Sequence, residues 1–147
     1  MCKSDLPFPS VFMSSKSLRL LFVDDDEDVL TMTKLLIAMY EKKSLAVDLV
    51  TASQGEEAVK IFDREMLACR KFDMVIMDVR MPPGMDGIET IRQMRQKHGE
   101  FAFVFYTAFS DMNCEQIQNF LGMDRKPEIL EKSKLKTFFE QRLLNTN

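Results

Sequence analysis

The sequence is short of the residues that mark several functional classes. Its three cysteines, Cys2, Cys69 and Cys114, are odd in number and far apart, without the paired spacing of a zinc site. They are too few for a disulfide scaffold, so a reducing, cytoplasmic setting is the expectation. The only histidine, His98, provides no histidine-based phosphodonor site. It stands near the end of a helical pattern, where a cation suits the helix dipole, and is expected at the surface. Positive charge is not in surplus: 20 Lys+Arg against 23 Asp+Glu leave a net charge of −3. Nucleic-acid binders usually show a basic excess, so direct nucleic-acid binding is not expected. No apolar run approaches the ~20 residues that span a bilayer, and no membrane partner is expected. Internal repeats and low-complexity tracts are absent.

What is present is the material of one globular domain. The chain has 147 residues, 46% apolar and 29% charged, close to globular averages. Residues 1–17, with Pro7, Pro9 and five serines, lack the features of a signal peptide and read as an extended tail. Residues 18–147 read as the folded domain, with no length left for a separate output domain. Apolar runs of strand length alternate there with helical periods. Leu18–Val23 is the first strand, and Val29, Met32, Leu36 and Met39 mark one helical face after it. Val47–Thr51 is the second. Ser53 and Glu56 then make a capping box before Ala58, Ile61, Phe62 and Met66. Met74–Met77 is the third strand, and Asp86 with Glu89 repeats the capping pattern before Ile88, Ile91 and Met94. Ala102–Tyr106 is the fourth, and a helix over Asp111–Leu121 ends at Gly122. Ile129-Leu130 is the fifth, and Leu135, Phe138, Phe139 and Leu143 line the last helix. Five strand–helix pairs imply βαβ crossovers and an α/β fold with a parallel sheet covered on both faces.

In such sheets ligands bind at the carboxyl ends of the strands, and here those ends carry a biased set of side chains. Asp24, Asp25 and Asp26 follow the first strand, Asp78 the third, Thr107 the fourth, and Lys132 the fifth. If strands one and three are neighbours, several carboxylates meet in one pocket, where their repulsion favours a bound cation. Hard oxygen ligands suit Mg²⁺. A carboxylate, a dication, a hydroxyl and a lysine around one point suit phosphoryl transfer, with the carboxylate as nucleophile.

Four segments also carry a resemblance: Phe22-Val23-Asp24-Asp25-Asp26, then Met77-Asp78-Val79-Arg80-Met81-Pro82-Pro83-Gly84-Met85-Asp86-Gly87, then Tyr106-Thr107-Ala108, and the lysine after the fifth strand. In this order the chain resembles the receiver domain of two-component response regulators, from about Leu18 to Leu144. The resemblance implies a doubly wound (βα)5 flavodoxin-like sheet of order 2-1-3-4-5. It implies that Asp78 accepts phosphate from a histidine kinase or phosphotransfer protein, and that the protein assists its own phosphorylation and dephosphorylation rather than acting as an enzyme on other substrates. Asp25 would ligate Mg²⁺ directly and Asp24 through water, with Asp78 and the backbone carbonyl of Arg80 completing the protein ligands. Thr107 would follow the phosphoryl group and Lys132 would pair with it. An output partner, or a second copy of the chain, would meet a face formed by helix four, strand five and helix five.

Some residues depart from the family pattern. The dipeptide Lys126-Pro127 imitates the usual Lys-Pro but precedes the fifth strand, so Lys132 is the expected site lysine. Ser133 then replaces the proline and puts a cis peptide there in doubt. Ile129 replaces an aromatic that swings inward in many receivers, leaving the switch to Thr107 and the following loop. The loop after Asp78 is one residue longer than the common form. Arg80 and Phe109 are expected to flank the pocket mouth and restrict hydrolytic water, and Phe101, Phe103 and Phe105 to pack in or beside the core. The chief rival is a pseudo-receiver, an interaction module that never carries phosphate. An EF-hand starting at Asp24 is excluded, because Val29 and Leu35 stand where Gly and Glu are needed. A haloacid-dehalogenase-type phosphatase would use Asp24 as nucleophile and generally needs a longer chain.

Overall fold

A computed structural model describes residues 17–42, 46–108 and 112–144. The elements are β1 (Ser17–Val23), α1 (Glu27–Glu41), β2 (Ala46–Ala52), α2 (Gly55–Leu67), β3 (Met74–Asp78), α3 (Gly87–His98), β4 (Phe103–Thr107), α4 (Cys114–Leu121), β5 (Ile129–Glu131) and α5 (Leu135–Leu144), with a single 3₁₀ turn over Lys132–Lys134. All five strands are parallel, in the order β2-β1-β3-β4-β5. This is the expected doubly wound fold. Of the expected tail, residues 1–16 lie outside the described residues, and Ser17 opens β1. The side chain of Leu143, Phe109 and the start of the fourth helix at Asp111 also lie outside them.

The period-two alternation of the strands divides the core in two. Leu21, Val23, Val75, Met77 and Phe105 face the side covered by Phe62, Ile91, Met94 and Ile117 from α2, α3 and α4. Leu20, Phe22, Ile76, Val104 and Tyr106 face the side covered by Leu30, Ile37, Phe138 and Phe139 from α1 and α5. Each fully buried side chain of this size contributes about 1.5–3 kcal/mol. The phenylalanines behave as expected, with ring centroids 4.7 Å apart for Phe62–Phe101 and 5.6 Å for Phe101–Phe103.

Four local expectations are corrected. On α1 the residues buried are Leu30, Thr33, Ile37 and Tyr40. Met32 and Met39, placed on the core face by periodicity, are 70% and 60% exposed. Val29 and Leu36 of the expected face are partly buried against the core, so the buried stripe is rotated from the expected one rather than opposite to it. At α2 the Ser53–Glu56 capping box does not form. Glu57 reaches back to the Ser53 amide at 2.8 Å, while Glu56 is drawn across to the Met85 amide at 3.2 Å. At α3 the cap half of the second box forms, with the Glu89 amide donating to Asp86 at 2.8 Å, but the Glu89 carboxylate turns to Arg92. His98 is also not a plain surface residue: it is half-buried, its Nε2 is 2.6 Å from Asp63, and its ring stands edge-on to Phe62.

The amino end of the sheet is tied by ions. Arg19 on β1 meets Asp48 at 2.7 Å and the buried Glu65 of α2 at 2.7 Å. Arg70 holds the other Glu65 oxygen at 2.9 Å. Hydrogen bonds from Arg70 and then Arg19 lower the Glu65 pKa to about 2. No helix among the described residues is long and apolar enough to cross a membrane.

Candidate functional site

At the opposite end of the same sheet the acids converge. Register pairs Val23 of β1 with Met77 of β3, so the next residues, Asp24 and Asp78, leave the sheet side by side. Asp24 is fully buried and Asp78 is 3% exposed. The Asp24 amide donates to the Ala52 carbonyl, and its carboxylate accepts from the Asp26 amide at 2.8 Å. Asp26 does not enter the cluster. Its side chain caps α1 by accepting from the Asp28 amide, a use suited to a helix N-terminus. Asp24, Asp25 and Asp78 each offer an oxygen within 4.8 Å of the others.

The backbone around Asp78 is packed closely. Gly87 opens α3 directly against it: a Cβ there would lie 1.9 Å from the Asp78 carbonyl oxygen. The Gly87 amide donates to Val79 at 2.8 Å. Between them runs the loop with the cis Pro82–Pro83 bond. Arg80 is exposed in this loop, two residues beyond Asp78.

Thr107 ends β4 and is buried. It stands one position past Tyr106, which is in register with Asp78. Lys132 directly follows β5, and its ammonium lies 3.2 Å from Asp24 Oδ2 and 3.2 Å from Asp78 Oδ2. Lys126, by contrast, is exposed ahead of β5. The peptide after Lys132 is trans. Ile129 packs against the α2–α3–α4 side of the core.

One site residue was not anticipated. Tyr106 is fully buried, and its hydroxyl donates to Asp24 Oδ2. The signal was available: a tyrosine at the inward-facing penultimate position of a strand needs a polar partner for its hydroxyl.

Three carboxyls crowd together and two of them share one ammonium, and the acids respond. Burial, then the charge of Asp24, raises the Asp78 pKa well above the ordinary carboxyl range, and Lys132 offsets this only in part. Asp25 is raised by burial and by Asp24. Burial disfavours the Lys132 ammonium, yet Asp78 and Asp24 outweigh it and its pKa is raised. Burial and Asp24 likewise raise Tyr106. The residues fit a small, hard dication: all donors are carboxylate oxygens, and their 4.8 Å spread is slightly wider than the ~4.2 Å between opposite ligands of Mg²⁺. That leaves room for one acid to act through water.

A doubly wound sheet that gathers two buried aspartates, a third acid, a hydroxyl and a lysine at its carboxyl end defines the class to be sought among known proteins. The family profile described as "Response regulator receiver domain" matches residues 20–133, and the chain belongs to that family. Among curated proteins it is similar to the alkaline phosphatase synthesis transcriptional regulatory protein PhoP of Bacillus subtilis, 33% identical over 106 residues, covering 72% of this chain and 38% of that protein. It is similar too to the sensor histidine kinase GacS of Pseudomonas protegens, 34% identical over 121 residues, covering 79% of this chain and 12% of that one. The chain thus spans well under half the length of these relatives. In fold it matches a CheY-like receiver domain protein from Methanospirillum hungatei with a TM-score of 0.64 at 17% identity, covering 88% and 92% of the two chains. A CheX–CheY complex from Borrelia burgdorferi with BeF3 and Mg²⁺ matches at 0.63 and 21% identity, covering 86% and 87%.

Proposed function

We propose that this receiver takes a phosphoryl group from a histidine kinase or phosphotransfer protein onto Asp78 with Mg²⁺, and thereby switches a protein-interaction surface. The observation that carries this reading is the Lys132 ammonium lying 3.2 Å from both Asp78 and Asp24. An Asp78 oxygen attacks phosphorus; the phosphorus–nitrogen bond to the donor imidazole breaks, and the imidazole keeps the electron pair. Asp25 and Asp78, with the Arg80 carbonyl, would hold Mg²⁺ directly and Asp24 through water. Bound there, the ion neutralises phosphoryl oxygens as charge develops. Lys132 exchanges a carboxylate for a phosphoryl oxygen, and the Thr107 hydroxyl follows the same group, which biases a two-state equilibrium. The protein assists its own phosphorylation and dephosphorylation and needs no other substrate.

The donor's docking face is suggested by α1. Met32, Leu35 and Met39 are exposed there, and they line a groove of about 540 Å³ that continues to Lys132 and Tyr106. A partner seated on it brings its phosphohistidine beside Asp78. Met32→Glu with Leu35→Glu should slow transfer from the partner but not from a small phosphodonor. The output face is assigned to α4, β5 and α5, where Phe120 is exposed, and sedimentation of phosphorylated and unmodified protein tests self-association through it. The setting is taken to be cytoplasmic.

The deciding experiment incubates the protein with Mg²⁺ and acetyl phosphate. A mass gain of one phosphoryl group, lost in Asp78→Asn, is expected. No gain in the unaltered protein would show a pseudo-receiver instead.

A further inference from the structure

Asp24 is held by more donors than a simple metal ligand needs. Its Oδ1 accepts from the Asp26 amide at 2.8 Å. Its Oδ2 accepts from the Tyr106 hydroxyl and also from the Lys132 ammonium at 3.2 Å. A carboxylate has about four lone-pair directions, and three of these are taken by the protein. Tyr106 reaches Asp24 from beyond an intervening strand, since β3 separates β4 from β1. Its ring is fixed in the α1–α5 side of the core, 5.1 Å from the ring of Phe22, and Lys132 lies 5.0 Å from its centroid. The phenol is therefore a rigid donor with little freedom to leave. Phenylalanine at this place would fill nearly the same volume and offer no proton to Asp24.

We infer that Tyr106 is a positioning residue that tunes the dication affinity of this centre: its hydroxyl and Lys132 share one oxygen of Asp24 and drain its charge. The inference rests on the Mg²⁺-dependent receiver reading and deepens it. A donor on Oδ2 stabilises the crowded acids while no cation is present, which reduces what a cation gains by entering. It also occupies the oxygen that Asp24 could otherwise turn toward an ion, consistent with Asp24 acting through water. The device belongs to this chain's own Tyr106 and not to the acids alone.

The test is titration of the full chain with Mg²⁺ alone, followed by calorimetry, in the unaltered protein and in Tyr106→Phe. Tyr106→Phe should bind Mg²⁺ severalfold more tightly, and the effect should vanish when Asp24→Asn is also present. Phe139→Leu, a buried change on the same side of the core but away from the acids, should lower thermal stability and leave the Mg²⁺ affinity alone. Because the chain has only two tyrosines, a second probe is available: Tyr106→3-fluorotyrosine, made by global labelling of Tyr40→Phe, is a stronger donor and should weaken binding. It serves alone if Tyr106→Phe does not fold. Unchanged or weaker Mg²⁺ binding in Tyr106→Phe, or tighter binding with the fluorinated residue, overturns the inference while the receiver reading stands. Absence of Mg²⁺ binding in every variant, the unaltered protein included, overturns the receiver reading and this inference with it.

Discussion

Strand β1 carries an ionic cluster at each end, and the two are built on opposite plans. At its start, Arg19 and Arg70 surround Glu65, and Asp48 takes a further arginine nitrogen. Both Glu65 oxygens are occupied by cations, so the charge is matched where it is buried. About 16 Å away, at the ~3.3 Å per residue of a strand, Asp24, Asp25 and Asp78 crowd together, and the ammonium of Lys132 pairs with two of them, Asp24 and Asp78. Charge is left over there, in a place where burial makes it costly. Matched charge holds the fold, and unmatched charge is a poised binding site. The contrast also appears in the direction of the pKa shifts, since the arginines drive Glu65 down to about 2 and burial beside Asp24 drives Asp78 up.

The largest expected effect breaks the unmatched end chemically. Lys132→Ala should slow phosphorylation by a small donor about 10²-fold, by loss of a preorganised charge, and should lower the denaturation midpoint at neutral pH because Asp24 and Asp78 lose their cation; a time course by intact-protein mass spectrometry and a urea titration check the two halves. Next comes the matched end. Glu65→Ala takes the shared acid from Arg19, which keeps Asp48, and from the largely exposed Arg70, and should cost about 2 kcal/mol in urea denaturation, with phosphorylation unaffected at temperatures where the variant is folded. The Glu65 pKa is lower folded than unfolded, so its contribution is full above about pH 4.5 and disappears as pH falls towards 2. Glu65→Ala and the unaltered protein should therefore converge in stability in acid.

Asp78 has the reverse sign. Its folded pKa lies above its unfolded one, so ionising it works against folding as pH rises from the ordinary carboxyl range through the raised value. Without Mg²⁺, Asp78→Asn should be the more stable protein at pH 8, by about 1 kcal/mol, and the gain should shrink as pH is lowered towards 4. Thermal melts across pH, with and without Mg²⁺, measure this, and Mg²⁺ should stabilise the unaltered protein more than the variant. The smallest effect concerns the pocket mouth. Arg80→Ala should shorten the lifetime of phosphorylated Asp78 modestly by admitting water, read from phosphate release; an unchanged lifetime would remove Arg80 from that role.

The sheet and the acid cluster were legible in the sequence because both follow from short-range pattern. Unbroken apolar runs that end in Asp24, Asp78 and Thr107 place those residues at one edge once the strands are parallel. Lys132 was legible for the same reason, as the residue just after an apolar pair. The face of α1 was not, because Met32, Leu35 and Met39 form a stripe as regular as Leu30, Ile37 and Tyr40, and periodicity alone does not say which stripe meets the sheet. The α2 cap was missed because Glu56 is claimed by Met85, 29 residues away, a competitor that no local motif reveals. Tyr106 was read only as the last residue of the fourth strand, since its partner is 82 residues distant.

The glycines beside Asp78 bear on how a signal can leave the site. Added Cβ atoms would meet Thr90 Oγ1 at 2.2 Å from Gly55, Gln54 Oε1 at 2.5 Å from Gly84, and the Asp78 carbonyl at 1.9 Å from Gly87. The contact at Gly87 is with backbone rather than with a movable side chain, so the start of α3 is seated directly on the Asp78 peptide. A displacement of that peptide is passed to α3 with nothing compressible between them.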